Sequence, residues 1–266
     1  MTAADTQYAA ASALPMRDRA IIWTGIVSIS ALAWLYLARM PMGAGGASGS
    51  MTMRGMIMPM AHRWSAADVW LTFLMWAVMM VAMMLPTASP MLLTYARISR
   101  SRDAGAAATR RVWSFATGYL AAWTIFSVGA TALQYGLQRA DIIDDALRTT
   151  PLAGAIILIA AGVYQLTPLK SACLRNCRSP LGFFMTEWRD GASGALGMGL
   201  KHGVSCVGCC WMLMAMLFVA GAMNLVWVAA ITVFVLLEKV APFGRAIAAA
   251  AGLLLLASGL AVAVSG

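Results

Sequence analysis

Charge is scarce in this sequence. Asp, Glu, Lys and Arg together make up 11% of it, only ten residues are acidic, and 61% of the chain is hydrophobic. An ordinary soluble domain carries about 25% charged residues and is about half apolar, so that class is excluded. A dense basic arm with interleaved aromatics is also missing, and the net charge of +9 therefore does not point to nucleic acid. Walker, aspartyl-phosphate and Rossmann glycine patterns are absent, which argues against an ATP-driven pump or a nucleotide enzyme. No small-residue cleavage pattern follows the first apolar run, so that run is expected to stay as an anchor rather than leave as a signal peptide. Histidine occurs only twice and cysteine five times, and the places where they fall carry the argument.

What the chain does have is apolar runs. Crossing ~30 Å of hydrocarbon takes ~20 residues, and seven runs approach that length: Ala20 to Ala38, Val69 to Leu85, Val112 to Gln134, Leu152 to Leu166, Val204 to Ala222, Leu225 to Leu237 and Ala246 to Val264. The pattern predicts an all-α, polytopic transmembrane helix bundle of about seven spans in a lipid bilayer, a multi-pass protein of the cell inner membrane. With the N-terminus inside, fourteen of the nineteen Lys and Arg residues fall in inner segments and five in outer ones. That asymmetry predicts an N-in, C-out topology. Residues 1–19 then form a cytoplasmic tail and 20–266 one transmembrane domain. Its outer loop, 40–64, is rich in methionine, and its inner loop, 169–202, carries Cys and His motifs.

This orientation puts all five cysteines at the inner boundary, where a reducing compartment keeps thiols free. The run KHGVSCVGCCW, Lys201 to Trp211, concentrates one histidine and three cysteines. At ~100° per residue, His202, Cys206 and Cys209 fall within about 60° of one another on a helix, with Cys210 a step further round. Cys173 and Cys177, four residues apart, also share a face. Sulfur with one imidazole is a donor set that selects Cu(I) or zinc over hard cations. Pro168 removes an amide hydrogen just before the first cysteine pair, and Tyr164, Gln165 and Thr167 set polar groups at the same depth, as in a broken helix end that lines a site. Between the cysteine groups, Phe183 to Gly199 reads as a short amphipathic or re-entrant stretch.

Methionine is abundant, at 21 residues, seven of them in the outer loop. Thioether is a Cu(I) ligand, although an interfacial loop could also bury those side chains in lipid. In the second span Met75, Met79 and Met83 form an i, i+4, i+8 ladder beside Met80 and Met84, and Met216 continues a sulfur-bearing side of the fifth. Core packing is the alternative reading of such stripes. Glu238, at the inner end of the sixth span, calls for a partner. It is an ion pair with a neighbouring helix, or a group for proton coupling, or support for His202.

The runs MMLPTASPMLLTYAR, YQLTPLKSACLRNCRSPLGF, GMGLKHGVSCVGCCWMLMAMLFVAGAMNLVW and VLLEKVAPFG together resemble a family of predicted metal-binding integral membrane proteins, some of which are described as copper chaperones. The resemblance covers roughly Asp68 to Val264. It implies metal binding through Cys173, Cys177, His202, Cys206, Cys209 and Cys210, with Met75, Met79, Met83, Met216 and Glu238 as possible accessories. Three functions stand side by side. The first is a Cu(I) chaperone or transfer protein working with copper-donor or copper-acceptor proteins. The second is a membrane thiol–disulfide redox protein using Cys206 and Cys209, and the third is an assembly factor stapled by zinc. The methionine content favours the first, since neither a dithiol nor a zinc staple needs thioethers. No enzymatic reaction is indicated.

Overall fold

The computed structural model describes residues 15–39, 64–102, 106–140, 142–143, 149–220 and 224–265. Helix is the only extended regular structure among them: α1 (Met16–Arg39), α2 (Ala66–Thr87), α3 (Ser89–Arg102), α4 (Ala106–Arg139), α5 (Pro151–Leu166), α6 (Pro168–Arg178), α7 (Pro180–Glu187), α8 (Gly191–Ala215), α9 (Leu217–Ala220), α10 (Leu225–Val240) and α11 (Gly244–Ser265). The Met-rich segment 40–63 and residues 1–14 of the expected tail lie outside the described residues.

Five helices are long and apolar enough to cross a membrane: α1, α2, α4, α8 continued through α9 to Val219, and α11. A sixth candidate is the pair α5 and α6, bent by 64° at its break. The sequence predicts seven spans, and the difference lies in two helices. α10 has 16 residues, about 24 Å at a rise of 1.5 Å per residue, short of the ~30 Å hydrocarbon core. α5 is equally short and needs its bent continuation to reach span length.

Local chemistry explains the helix ends. Ser65 caps α2 in a reciprocal box with Asp68, and Pro86 sits in the last turn before the chain breaks at Ala88. Thr150 and Thr167 cap α5 and α6, each followed by proline at the first helical position, where its missing N–H costs nothing. Because Thr167 precedes Pro168, its backbone is held extended, at φ −73° and ψ 149°. That single residue produces the bend, and α6 folds back onto the bundle. The segment 169–202, which joins two expected spans, is largely helical. α6 and α7 occupy it, and α8 starts at Gly191, so His202 and the three later cysteines stand on one continuous helix.

Glycine sets how close α8 comes to α4. A Cβ on Gly118 would run into the Leu196 carbonyl, one on Gly199 into the Phe115 carbonyl, and one on Gly203 would lie 2.6 Å from the Ala122 Cβ. Small residues at such crossings let backbones touch where lipid offers no hydrophobic drive for association. This contact brings Tyr119 of α4 level with Cys206 of α8. The deepest core holds Trp76, Met79, Met80, Met83 and Met84 of α2 with Tyr95, Phe115, Tyr119 and Trp123.

Candidate metal centre

α8 presents Cys206, Cys209 and Cys210, all buried, while α6 brings the half-buried Cys177 from the other side of the Thr167 bend. The sulfur atoms of Cys177, Cys206 and Cys209 all lie within 4.8 Å of one another. Among the described residues no other group of three His, Cys, Asp or Glu ligand atoms is so close. All five cysteines are free thiols. The Cys209 and Cys210 thiols donate to the Cys206 carbonyl at 3.1 and 2.9 Å, which draws both toward the preceding turn.

Cys206 is the most heavily engaged sulfur. The Lys239 ammonium donates to it at 3.0 Å and to the Thr87 hydroxyl at 2.9 Å. Thr87 in turn donates to the Met84 carbonyl at 2.9 Å. The Tyr119 hydroxyl lies 3.2 Å from the same sulfur and donates to the Met84 carbonyl at 3.0 Å. Four helices, α2, α4, α8 and α10, therefore meet at one thiol in a closed ring of hydrogen bonds.

Cys173 lies one turn before Cys177, and its sulfur would be 2.9 Å from a Cβ placed on Gly208. The absent side chain leaves the notch that admits it, and the Tyr164 hydroxyl donates to the Gly208 carbonyl beside that notch. The structure thus brings Cys177 to Cys206 and Cys209 as one group, with Cys210 beside them on α8 and Cys173 flanking them.

His202 is placed differently. Its ring is 3% exposed and sits among Tyr119, Phe115 and Phe183, with centroids at 5.5, 6.1 and 5.7 Å. It is not part of the three-sulfur group, and its Nδ1 has no hydrogen-bond partner. A buried polar atom left unpaired costs about 1–3 kcal/mol, so this imidazole is held one helical turn from Cys206 at some expense. Glu238 does not support it. Both Glu238 oxygens instead accept from the Lys170 ammonium, at 2.7 and 2.9 Å, with each side chain 1% exposed. Of the roles the sequence left open for Glu238, the structure shows the ion pair. Met75, Met79 and Met83 are buried in the core on α2, and Met216 is half-buried at the end of α8.

Residues 73–262 match the family described as PpoB2 copper chaperone. The chain belongs to the PpoB2 copper chaperone family. No curated protein and no solved structure matches it. The PpoB2 match takes in both cysteine groups and α10 but leaves out α1 and the start of α2, so the sulfur group lies in the family-related portion of the chain. Sequence reasoning missed Tyr119, Thr87 and Lys239 as parts of this centre. Only the adjacent charges Glu238 and Lys239, at the end of an apolar run, gave a signal, because charges so placed require partners.

Proposed function

We propose that this PpoB2-family protein is an integral membrane copper handler whose cargo is Cu(I), held by Cys177, Cys206 and Cys209 and passed on by ligand exchange. The observation that carries the reading is the meeting of three sulfur atoms from two separate helices beside one buried ammonium. Thiolate is a soft donor, and three such atoms within 4.8 Å of one another suit the low coordination numbers of Cu(I) better than any hard cation. Charge balance points the same way. Cu(I) on two thiolates and one thiol carries a charge of −1, and Lys239, 3.0 Å from Cys206, brings the assembly to neutrality. Without that compensation a net charge in a buried site is costly.

Cys173 and Cys210 border the three sulfurs and can take part in exchange, in which a new sulfur–copper bond forms as an old one breaks and a proton moves from the incoming thiol to the outgoing sulfur. His202, with its free Nδ1, is an additional donor one turn away. In the membrane, an N-in, C-out arrangement of seven crossings takes α5 and α10 as short spans. It puts the sulfur site at the cytoplasmic boundary of the inner membrane, within reach of a copper-donor or copper-acceptor protein. The basic residues of α3, α6 and the start of α4 support that orientation.

The deciding experiment is metal analysis of the full chain in mild detergent under anaerobic conditions, followed by X-ray absorption at the copper edge. Copper bound one per chain in an all-sulfur shell supports the proposal. One zinc and no copper would replace it with the zinc staple, and neither metal together with a titratable disulfide would replace it with redox work.

A further inference from the structure

The three sulfurs belong to two helices, α6 and α8, whose direct contact runs through the Cys173 notch at Gly208 and the thiols themselves. The geometry points to the C-terminal turn of α10, Glu238 to Pro242, as a clasp that positions Cys177 against Cys206 and Cys209 by gripping α6 at both ends. This inference deepens the copper reading above and rests on it for the identity of the cargo.

At the start of α6, Lys170 is buried and its ammonium is bound by both Glu238 oxygens at 2.7 and 2.9 Å. Gln165, at the end of α5, bridges the same two groups: its amide oxygen accepts from Lys170 and its amide nitrogen donates to Glu238 at 3.4 Å. At the other end of α6 stands Arg178, next in sequence to Cys177. Its guanidinium donates to the Glu238 carbonyl at 2.6 Å, the Ala241 carbonyl at 2.7 Å and the Pro242 carbonyl at 3.2 Å. The Glu238 carbonyl is one that a helix C-terminus leaves without an intrahelical partner, the other two lie just past the helix end, and a planar fork of donors suits several carbonyls at once. Gly244 is part of the fit, because a Cβ there would collide with both the Arg178 guanidinium and the Glu238 carbonyl.

The same turn also reaches the facing helix. Lys239, about 100° round α10 from Glu238, donates to Cys206. One turn of α10 thus fixes the helix that carries Cys177 through Lys170 and Arg178, and fixes α8 through Cys206. Neither Glu238 nor Arg178 belongs to the sulfur group; they are positioning residues. Across the direct α6–α8 contact the described side-chain hydrogen bonds to set against them are weak: those of the Cys177 thiol with Cys206 and Cys209, and a long one from Asn176 to Ser205 at 3.4 Å.

The test uses the full-length protein in detergent with Arg178→Ala and Glu238→Gln, and Cys177→Ser as the reference. With Cu(I) supplied anaerobically from a chelator complex, the wild type shows three sulfur neighbours by X-ray absorption. Both clasp variants are expected to fall toward the two-sulfur shell of Cys177→Ser and to lose affinity about 10–100-fold, as disrupted outer-shell support does in other metal sites. A copper-free readout accompanies it in a Cys173→Ser, Cys210→Ser background. Diamide removes two electrons and two protons from a thiol pair and becomes the hydrazine as the disulfide forms. Disulfides that include Cys177 are expected to drop several-fold in the clasp variants, while the Cys206–Cys209 disulfide does not. Three-sulfur coordination and unchanged cross-linking in both variants would overturn the clasp. A wild type that binds no copper through sulfur would overturn the copper reading, and the cross-linking would still decide the clasp. If Glu238→Gln strands Lys170 and fails to fold, Arg178→Ala, which leaves no buried charge behind, decides alone.

Discussion

Replacing Lys239 by Met should weaken Cu(I) binding by about 100-fold, a size that follows from Coulomb's law and the position of the ammonium. The ammonium lies 3.0 Å from the Cys206 sulfur, and a unit charge pair at that distance in an effective dielectric of ~20 interacts by about 5 kcal/mol. The excess negative charge of the loaded site is spread over sulfurs as much as 4.8 Å apart, so the mean separation is longer and about 3 kcal/mol is the appropriate figure. At ~1.4 kcal/mol per factor of ten, that is roughly 100-fold in affinity. Methionine keeps the length and apolar bulk of the stem, so the helix contacts survive while the charge is lost. The assay is anaerobic competition for Cu(I) against a chromophoric chelator, with circular dichroism as the control for folding. Lys239→Arg retains the charge and is expected to bind within about tenfold of wild type, or ~1.4 kcal/mol. Charge balance would be refuted if Lys239→Met bound copper as tightly as the wild type while remaining folded.

Cys206→Ser and Cys209→Ser should each abolish tight retention of Cu(I), measured as copper remaining after gel filtration, because each leaves only two of the three sulfurs. Gly199→Val should lower the melting temperature, since its side chain would be driven into the Phe115 backbone at the α4–α8 crossing, and overpacking of this kind costs about 1–3 kcal/mol. Tyr119→Phe should cost about 1 kcal/mol of stability in a denaturant titration by deleting the donor to the Met84 carbonyl, and should leave the copper–sulfur count at three. Met-to-Leu changes across residues 40–60 should slow copper uptake by intact cells and spare retention by the purified protein, and equal loss of both would remove that segment from the route.

Much of the centre was legible before any coordinates, because helical periodicity is a local property. His202, Cys206 and Cys209 share a face simply by their spacing, as do Cys173 and Cys177. Pro168 marked the break that turns α6 back. The partition of Glu238 and Lys239 was not legible, because two neighbouring residues on a helix face different helices, and which helices depends on packing. His202 shows the same limit. Its spacing put it with the thiols, yet the close α4–α8 crossing encloses the ring among Tyr119, Phe115 and Phe183. How the inner segment 169–202 divides into α6, α7 and the start of α8 was not legible either, and of its glycines only Gly199 serves the crossing with α4.

The sequence by itself determined that the chain forms apolar helices, that its cysteines fall in two helical groups, and that soft-metal chemistry is within their reach, since composition and periodicity act within a single segment. Only the tertiary structure decided that Cys177 of one helix meets Cys206 and Cys209 of another, that an ammonium from a third helix faces them, and that Glu238 serves Lys170 rather than His202. Those contacts join residues 29 to 68 positions apart. They exist because glycine-mediated close approach and the bend at Thr167 set the distances between helices, which no local pattern encodes.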